Sequence, residues 1–225
     1  MGSRDNMRSM KELNLELYNP NRVEGWFNIP TIEEDYFVPK KMISFHEILS
    51  YDGPDYYKCV HFYLSDIMFQ RIWNKPANYV NMLRKFDGIL SPDFSVFRDM
   101  PVPVQLYNVY RNRLIGQYLQ TQGIRVIPTV SWGEPKTYKF CFDGFKEGSI
   151  VSVASTGVIG KQDNLDFWYM GMQELIKRKH PRTILFYGNP IPFDYGNAEV
   201  LCFVNRQVDK FGKHPAALKP EICAG

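Results

Sequence analysis

The fold is decided by residues 148–190, GSIVSVASTGVIGKQDNLDFWYMGMQELIKRKHPRTILFYGNP. The apolar run Ile150–Ala154 is too short for a helix and is bounded by glycines, which predicts a strand buried on both faces. Apolar residues then recur every three or four positions over Leu165–Ile176, and Pro181 ends this helix. A second apolar run, Thr183–Tyr187, predicts another strand. The stretch is therefore a βαβ unit, in which the two strands are parallel.

The remainder of the chain continues this alternation. About seven strands in βα order are predicted between residues 42 and 204, which indicates one α/β domain with mostly parallel strands. Two architectures fit that order: a distorted or incomplete (βα) barrel, favoured by the even spacing, and an open doubly wound sheet. We expect an irregular N-terminal strap over residues 1–35, the α/β domain over 36–205 and a peripheral C-terminal tail over 206–225.

Composition excludes some classes of protein. The 225 residues carry 27 basic and 24 acidic side chains, and the net charge of +3 is too small to support nucleic-acid binding by itself. No apolar run approaches the roughly 18 residues of a membrane span, and the N-terminus lacks the apolar core of a signal peptide. A soluble cytosolic protein is expected.

The four cysteines and four histidines are scattered, so no metal-ligand spacing is present and no metal site is predicted.

Polar residues follow most of the predicted strands. Because parallel strands end at one edge of a sheet, we expect these side chains to surround a common pocket mouth, where α/β proteins bind ligands. The alternative is that these loops are polar only because loops lie at the surface. The residues concerned are Asp66, Asp93, Ser95, Ser131, Trp132, Glu134, Ser155, Thr156, Lys161 and Asn189.

The loop STGVIGK, residues 155–161, is similar to a phosphate-binding loop. Its glycines allow backbone N–H groups to approach an anion, and it leads into a helix N-terminus. It is not a Walker A loop, because only two residues separate Gly157 from Gly160 and Gln162 follows the lysine. A plain strand-to-helix turn is the alternative. The residues assigned to the anion are Ser155, Thr156, Gly157 and Lys161. Three residues on the first turns of the long helix, Asn108, Arg111 and Arg113, could reach a phosphate or, equally, form a solvated face.

Two carboxylates and one indole are the other candidates for chemistry. Asp93 and Glu134 follow neighbouring strands and could act as a general acid and base or hold Mg²⁺. Equally, Asp93 is a good turn residue after Pro92, and Glu134 could be a solvated loop charge. Trp132 could form a stacking surface for a base or a sugar, or it could belong to the core.

Four segments carry a family resemblance: FDGILSPDFS, the SW of VIPTVSWGE, FCFDGFKEGSIVSVASTG and RTILFYG. Together they resemble an uncharacterised domain-of-unknown-function family that is found in phages, prophages and bacteria. The resemblance spans residues 42–190. It implies a phage or mobile-element origin and a single α/β domain, and it brings no established activity with it.

Three functions are compatible with these features. The first is a module that binds a small anionic, nucleotide-derived ligand at the rim, and in a phage such a module would suit sequestering a host immune signal. The second is a hydrolase acting on a similar ligand through Asp93 and Glu134. The third, a DNA-handling protein, would need a basic stripe that the composition does not provide. Apart from Mg²⁺ held by Asp93 and Glu134, no cofactor is expected. No membrane partner is expected, and the oligomeric state is not indicated.

Overall fold

The computed structural model describes residues 3–155, 158, 162–188, 191–203 and 221–222. Its strands are β1 (Val23–Glu24), β2 (Ile29–Pro30), β3 (Met42–Ser44), β4 (Cys59–His61), β5 (Gly88–Leu90), β6 (Val126–Ile127), β7 (Ile150–Ala154), β8 (Thr183–Tyr187), β9 (Glu199–Phe203) and β10 (Glu221–Ile222). Its α-helices are α1 (Ser3–Glu12), α2 (Phe45–Ile48), α3 (Asp66–Asn74), α4 (Val80–Leu83), α5 (Val102–Thr121), α6 (Tyr138–Cys141) and α7 (Gln162–Lys179). Short 3₁₀ turns occupy Leu15–Leu17, Pro76–Tyr79 and Pro135–Thr137.

The βαβ unit predicted from the sequence is confirmed. Strands β7 and β8 are parallel and pair over five residues, from Ile150 opposite Thr183 to Ala154 opposite Tyr187. Helix α7 connects them and ends at Lys179, where His180 has a φ of 40° and Pro181 follows. Since Pro181 lacks an N–H and restricts the residue before it, the helix cannot continue.

The strands lie side by side in sequence order. The ladder β3-β4-β5-β6 is parallel, and the ladder β7-β8-β9 is also parallel, with β10 antiparallel at its edge. A parallel bridge between Thr129 and Ser152 joins the two sheets. The α/β class is thus confirmed, and the described strands show no reversal of strand order of the kind that defines a doubly wound sheet. In the described part of the chain no ladder connects β3 with the opposite edge, so a closed barrel is not formed there.

The two sheets share one apolar interior and bury their other faces under helices. Adjacent residues of a strand belong to different clusters: Cys59 packs in the shared interior with Ile150 and Leu185, whereas Val60 packs with the helices around β4. Val151 likewise packs beneath α7. This division follows from the two-residue period of a strand, which points successive side chains to opposite faces. The strand ends that surround the interior are consequently brought to one edge.

The segment before β3 packs along α5. Strands β1 and β2 form an antiparallel hairpin, and Gln117 Nε2 donates to the carbonyl oxygens of Arg22 and Thr31 at 2.7 and 3.0 Å. Glu24 accepts hydrogen bonds from the N–H groups of Gly144 and Phe145 and pairs with Lys179 Nζ at 2.7 Å. This strap therefore holds together elements that lie more than a hundred residues apart. The predicted division at residues 35 and 205 stays a prediction, and residues 206–220 and 223–225 of the predicted tail lie outside the described residues.

Helix α5 contains a fully buried guanidinium, that of Arg113, whose residue is 1% exposed. Its nitrogens donate to the carbonyl oxygens of Thr129 at 2.6 Å, Asp143 at 3.1 Å and Cys141 at 3.4 Å, and to Asn112 Oδ1 at 2.7 Å. Burial lowers the pKa of Arg113 to about 10, which still leaves it charged at neutral pH. The solvated-face alternative for Arg113 is therefore wrong, because this side chain connects α5 to the end of β6 and to the loop after α6.

We expect Arg113→Met to lower the free energy of unfolding by about 3–5 kcal/mol, because several buried carbonyl oxygens would lose their donor. Urea unfolding followed by circular dichroism measures the loss. Arg71→Met is the control, since Arg71 is an exposed arginine on α3. A loss for Arg113→Met no larger than that of the control would contradict the role assigned to this side chain.

Candidate functional site

Three consecutive strand ends are aligned by hydrogen bonds. Thr129 N donates to Ser91 Oγ, and Thr129 Oγ1 donates to the Ser91 carbonyl, both at 2.8 Å. Thr129 also bridges Ser152 on β7. Two residues further along each strand end, on the same face, stand Asp93, Ser131 and Ala154. The register of the sheet thus places these three residues side by side.

They line a cleft of about 710 Å³. Its walls come from the loop after β5, the loop after β6, the end of β7 and the first turns of α7. The lining residues are Asp93, Ser95, Val96, Phe97, Arg98, Asp99, Val130, Ser131, Trp132, Gly133, Glu134, Ala154, Val158, Asn164, Phe167 and Trp168. Five side chains predicted from the sequence as rim residues therefore share one cleft: Asp93, Ser95, Ser131, Trp132 and Glu134.

Asp93 is the carboxyl group most altered by its surroundings. The pKa of Asp93 is raised from 3.8 to about 6, chiefly by burial and to a smaller extent by the nearby charge of Asp66. The hydrogen bond from Ser131 Oγ to Asp93 Oδ1, 2.5 Å long, and the positive charge of Arg113 oppose the shift. Asp93 can therefore gain or release a proton close to neutral pH.

Glu134 has the opposite character. Lys136 Nζ lies 2.8 Å from Glu134 Oε2 and lowers the pKa of this carboxyl group, with a smaller contribution from the charge of Arg98. The side chain is solvent-accessible and stays ionised at neutral pH. Environments that separate the pKa values of two carboxyl groups are typical of general acid and base pairs.

Asn108 and Arg111 hold the cleft loop and do not line the cleft. Asp66 accepts hydrogen bonds from the Ser95 backbone N–H and from Ser95 Oγ, and Asn108 Nδ2 donates to the Ser95 carbonyl at 2.6 Å. Arg111 donates to Asn108 Oδ1 and to Gln70 Oε1. Its guanidinium also lies 3.9 Å from the centre of the Phe94 ring. The sequence left contact with a phosphate and a solvated face as alternatives for both residues. In the structure their side chains position this loop, and their assignment to a phosphate stays a prediction.

Trp132 belongs partly to the cleft and partly to the core. Its ring packs near Phe142 and Trp168, with centroid distances of 5.9 and 6.2 Å. On α7 it lies against Gly171, where an added Cβ would overlap the indole. Trp132 thus packs against the core and also borders the cleft, and its use as a stacking surface stays a prediction.

The proposed phosphate loop is only partly within the described residues. Thr156, Gly157, Lys161 and Asn189 lie outside them. Ser155 is buried, its N–H donates to the Tyr187 carbonyl, and its own carbonyl accepts from Val158 N. Ala154 and Val158, on either side of this loop start, line the cleft. The assignment of Ser155, Thr156, Gly157 and Lys161 to an anion therefore stays a prediction.

Sequence reasoning missed Arg98, Phe97 and Phe167. Arg98 and Phe97 lie in the long proline-containing connection after β5, where no periodicity assigns a side chain to a face. Phe167 follows Asn164 by three residues on α7, so both lie on one side of the helix. Because the helix begins near the rim, this spacing could have placed both Asn164 and Phe167 at the cleft.

Over the described ranges no group of three His, Cys, Asp or Glu side chains is arranged to hold a metal ion. Among the same residues, no helix is both long enough and apolar enough to cross a bilayer.

A protein family matches most of the chain. The model of the family described as Domain of unknown function (DUF4417) matches residues 21–204. The chain belongs to this family. Proteins of similar sequence include the Gene 1 protein of Mycobacterium phage D29, 35% identical over 181 residues, and that of Mycobacterium phage L5, 36% identical over 167 residues. The D29 alignment covers 78% of this chain and 65% of the phage protein, and the L5 alignment covers 72% and 71%.

The resemblance identified from sequence motifs is therefore confirmed, and the family includes phage proteins. The chain spans less than two thirds of the length of the D29 protein. No solved structure matches the chain. The geometry of the cleft is consequently the main guide to the activity of this family member.

We expect Asp93→Asn to raise the melting temperature above pH 6. The raised pKa of Asp93 means that its protonated form stabilises the fold below pH 3.8, and that this stability is lost as the pH rises through about 6. Asparagine stays neutral and can still accept a hydrogen bond from Ser131. Melting temperatures measured from pH 4 to pH 8 should show the gain of the variant growing with pH. A constant difference, as expected for the exposed control Asp52→Asn, would contradict the assignment.

Gly171→Ala should destabilise the protein by about 1–3 kcal/mol, because the new methyl group would displace the Trp132 ring. In a helix without such a contact, the same change stabilises by up to about 1 kcal/mol. Thermal unfolding gives the sign, and tryptophan emission reports the moved indole. Met170→Ala, at an exposed neighbouring position of α7, is the control. Stabilisation by Gly171→Ala would show that the ring does not lie against the helix.

Proposed function

We propose that this protein binds a small nucleotide-derived ligand in the cleft at the carboxyl ends of its parallel strands. The observation that carries the proposal is the cleft itself, whose volume of about 710 Å³ is within the range of small-molecule sites. Aromatic rings and a few polar groups line it, and such a combination suits a planar ligand with polar substituents. Its place at the ends of parallel strands is also where α/β proteins bind ligands.

The aromatic groups supply surfaces for a base or a ribose. Trp132, Phe97 and Phe167 border the cleft, and the side chain of Phe97 is exposed. Stacking of a base on an aromatic ring contributes about 1–3 kcal/mol. Ser95, Ser131 and the ionised Glu134 supply hydroxyl and carboxylate oxygens that can accept hydrogen bonds from amino or hydroxyl groups of the ligand.

The relatives suggest a setting for this binding. Because two similar proteins are encoded by mycobacteriophages, we propose that the chain is a phage or prophage product that acts in the host cytosol. There, a protein that holds a nucleotide messenger of host immunity without converting it would lower the free concentration of that messenger. This step is an analogy with the biology of phages and rests on the relatives rather than on the cleft.

A hydrolase that acts on a similar ligand is the second candidate. The observation in its favour is the contrast between Asp93, with a pKa of about 6, and Glu134, whose pKa is lowered. At neutral pH part of the Asp93 population can donate a proton while Glu134 accepts one. The two candidate functions use the same site and differ in whether the bound ligand is hydrolysed.

One experiment separates them. We expect a panel of ribonucleosides, mononucleotides and cyclic nucleotides, tested with and without Mg²⁺, to contain ligands that raise the melting temperature and are recovered unchanged by chromatography. Asp93→Asn should weaken their binding about tenfold, because one ionised acceptor is lost. Asp52→Asn should bind like the unmodified protein.

Product formation that disappears in Asp93→Asn would instead establish the hydrolase. If no member of the panel bound at millimolar concentration, the cleft would not be a nucleotide site and both candidates would fail. Isothermal titration calorimetry provides the affinities, so a weak ligand is not mistaken for an absent one.

A further inference from the structure

Arg98 is held in a defined position on the wall of the cleft. The centre of its guanidinium lies 3.8 Å from the centroid of the Phe167 ring, and its Nη1 donates to Asn164 Oδ1 at 3.3 Å. Both partners belong to the first two turns of α7. A planar guanidinium stacked on a ring loses less freedom when it binds an oxyanion than a mobile side chain does.

The charge of Arg98 has no carboxylate partner at ion-pair distance in the part of the chain that the structure describes. Its Nε is buried without an acceptor. Glu134, on the same cleft, pairs with Lys136. A guanidinium offers five N–H donors, so several donors of Arg98 are available to a ligand.

The surroundings of Arg98 favour an anion at this end of the cleft. Helix α7 has 18 residues and begins beside the cleft, so the positive end of its dipole adds to the field of the guanidinium. The other charged groups of the described lining are Asp93, Asp99 and Glu134, all of them acidic. A ligand with many negative charges would meet these carboxylates, whereas one phosphate group can be matched to Arg98 alone.

We infer that Arg98 is the residue that recognises the phosphate of the ligand, and that the cleft takes nucleotides with a single phosphate group. The inference rests on the proposed function, because it concerns the same cleft. It adds a residue that determines specificity and restricts the ligand class: mononucleotides and cyclic mononucleotides are preferred to di- and triphosphates.

The test compares adenosine, AMP, cyclic AMP and ATP, and the corresponding guanine compounds, by calorimetry. We expect the monophosphates to bind best. Arg98→Met should weaken monophosphate binding about ten- to a hundredfold and leave nucleoside binding unchanged, because only the charged hydrogen bonds are removed. Arg98→Lys should recover part of the loss, since it keeps the charge without the planar fork. Arg71→Met, on the exposed face of α3, should bind like the unmodified protein.

The possible outcomes separate this inference from the function on which it rests. If nucleosides and nucleotides bind but Arg98→Met binds monophosphates normally, or if ATP binds better than AMP, Arg98 is not the phosphate residue and the inference is overturned while the proposed function stands. If none of the compounds binds, both are overturned. Circular dichroism of each variant ensures that a loss of affinity is measured on folded protein.

Discussion

The position of the site depends on the buried guanidinium of Arg113 and the carbonyl oxygens that it binds. Asn112 Oδ1 accepts hydrogen bonds from Arg113 and from Ser91, while its amide donates to the Thr129 carbonyl. One turn of α5 is thereby connected to the ends of β5 and β6 at the same time. Asp93 and Ser131 each follow these connected positions by two residues, so the alignment of the cleft floor is a consequence of polar contacts inside the core.

The charges of Arg113 and Asp66 affect both the stability of the fold and the pKa of Asp93. Arg113 lowers the pKa of Asp93 and Asp66 raises it, yet Asp66 also holds the cleft loop through Ser95. A carboxyl group that is costly to ionise near neutral pH is an unfavourable element of a fold, and such groups concentrate at sites where a ligand or a reaction uses them. In this cleft the destabilising carboxyl group of Asp93 accepts a hydrogen bond from Ser131 Oγ, which follows the neighbouring strand.

Much of the fold could be predicted because local patterns and global packing agree. Ser65 or Asp66 as a cap predicts a short helix over residues 66–74, and α3 has these bounds. Strands β7 and β8 also have the bounds predicted from the sequence, since each is a continuous apolar run bounded by turn residues. The alternating side chains of residues 57–65 predict a strand of that length, but pairing is limited to Cys59–His61.

The site was predictable only where it follows strand ends. Asp93, Ser131, Trp132 and Glu134 could be found because the position of a strand end determines the position of the next residues. Arg98 and the role of Arg113 could not, since both depend on which segments cover which helix face. Helix α5 carries many polar residues, for which the sequence left contact with a phosphate and solvent exposure as alternatives. The hairpin β1-β2, nearly a hundred residues earlier in the chain, covers that surface instead.

The bonds of Glu24 have a consequence for the order of events during translation. Its partners are Gly144, Phe145 and Lys179, so the complete set of bonds can form only after the end of α7 has left the ribosome. Lys179 is added to the chain more than a hundred residues after the hairpin that carries Glu24. This ion pair is therefore a late contact, formed long after the first strands have been synthesised.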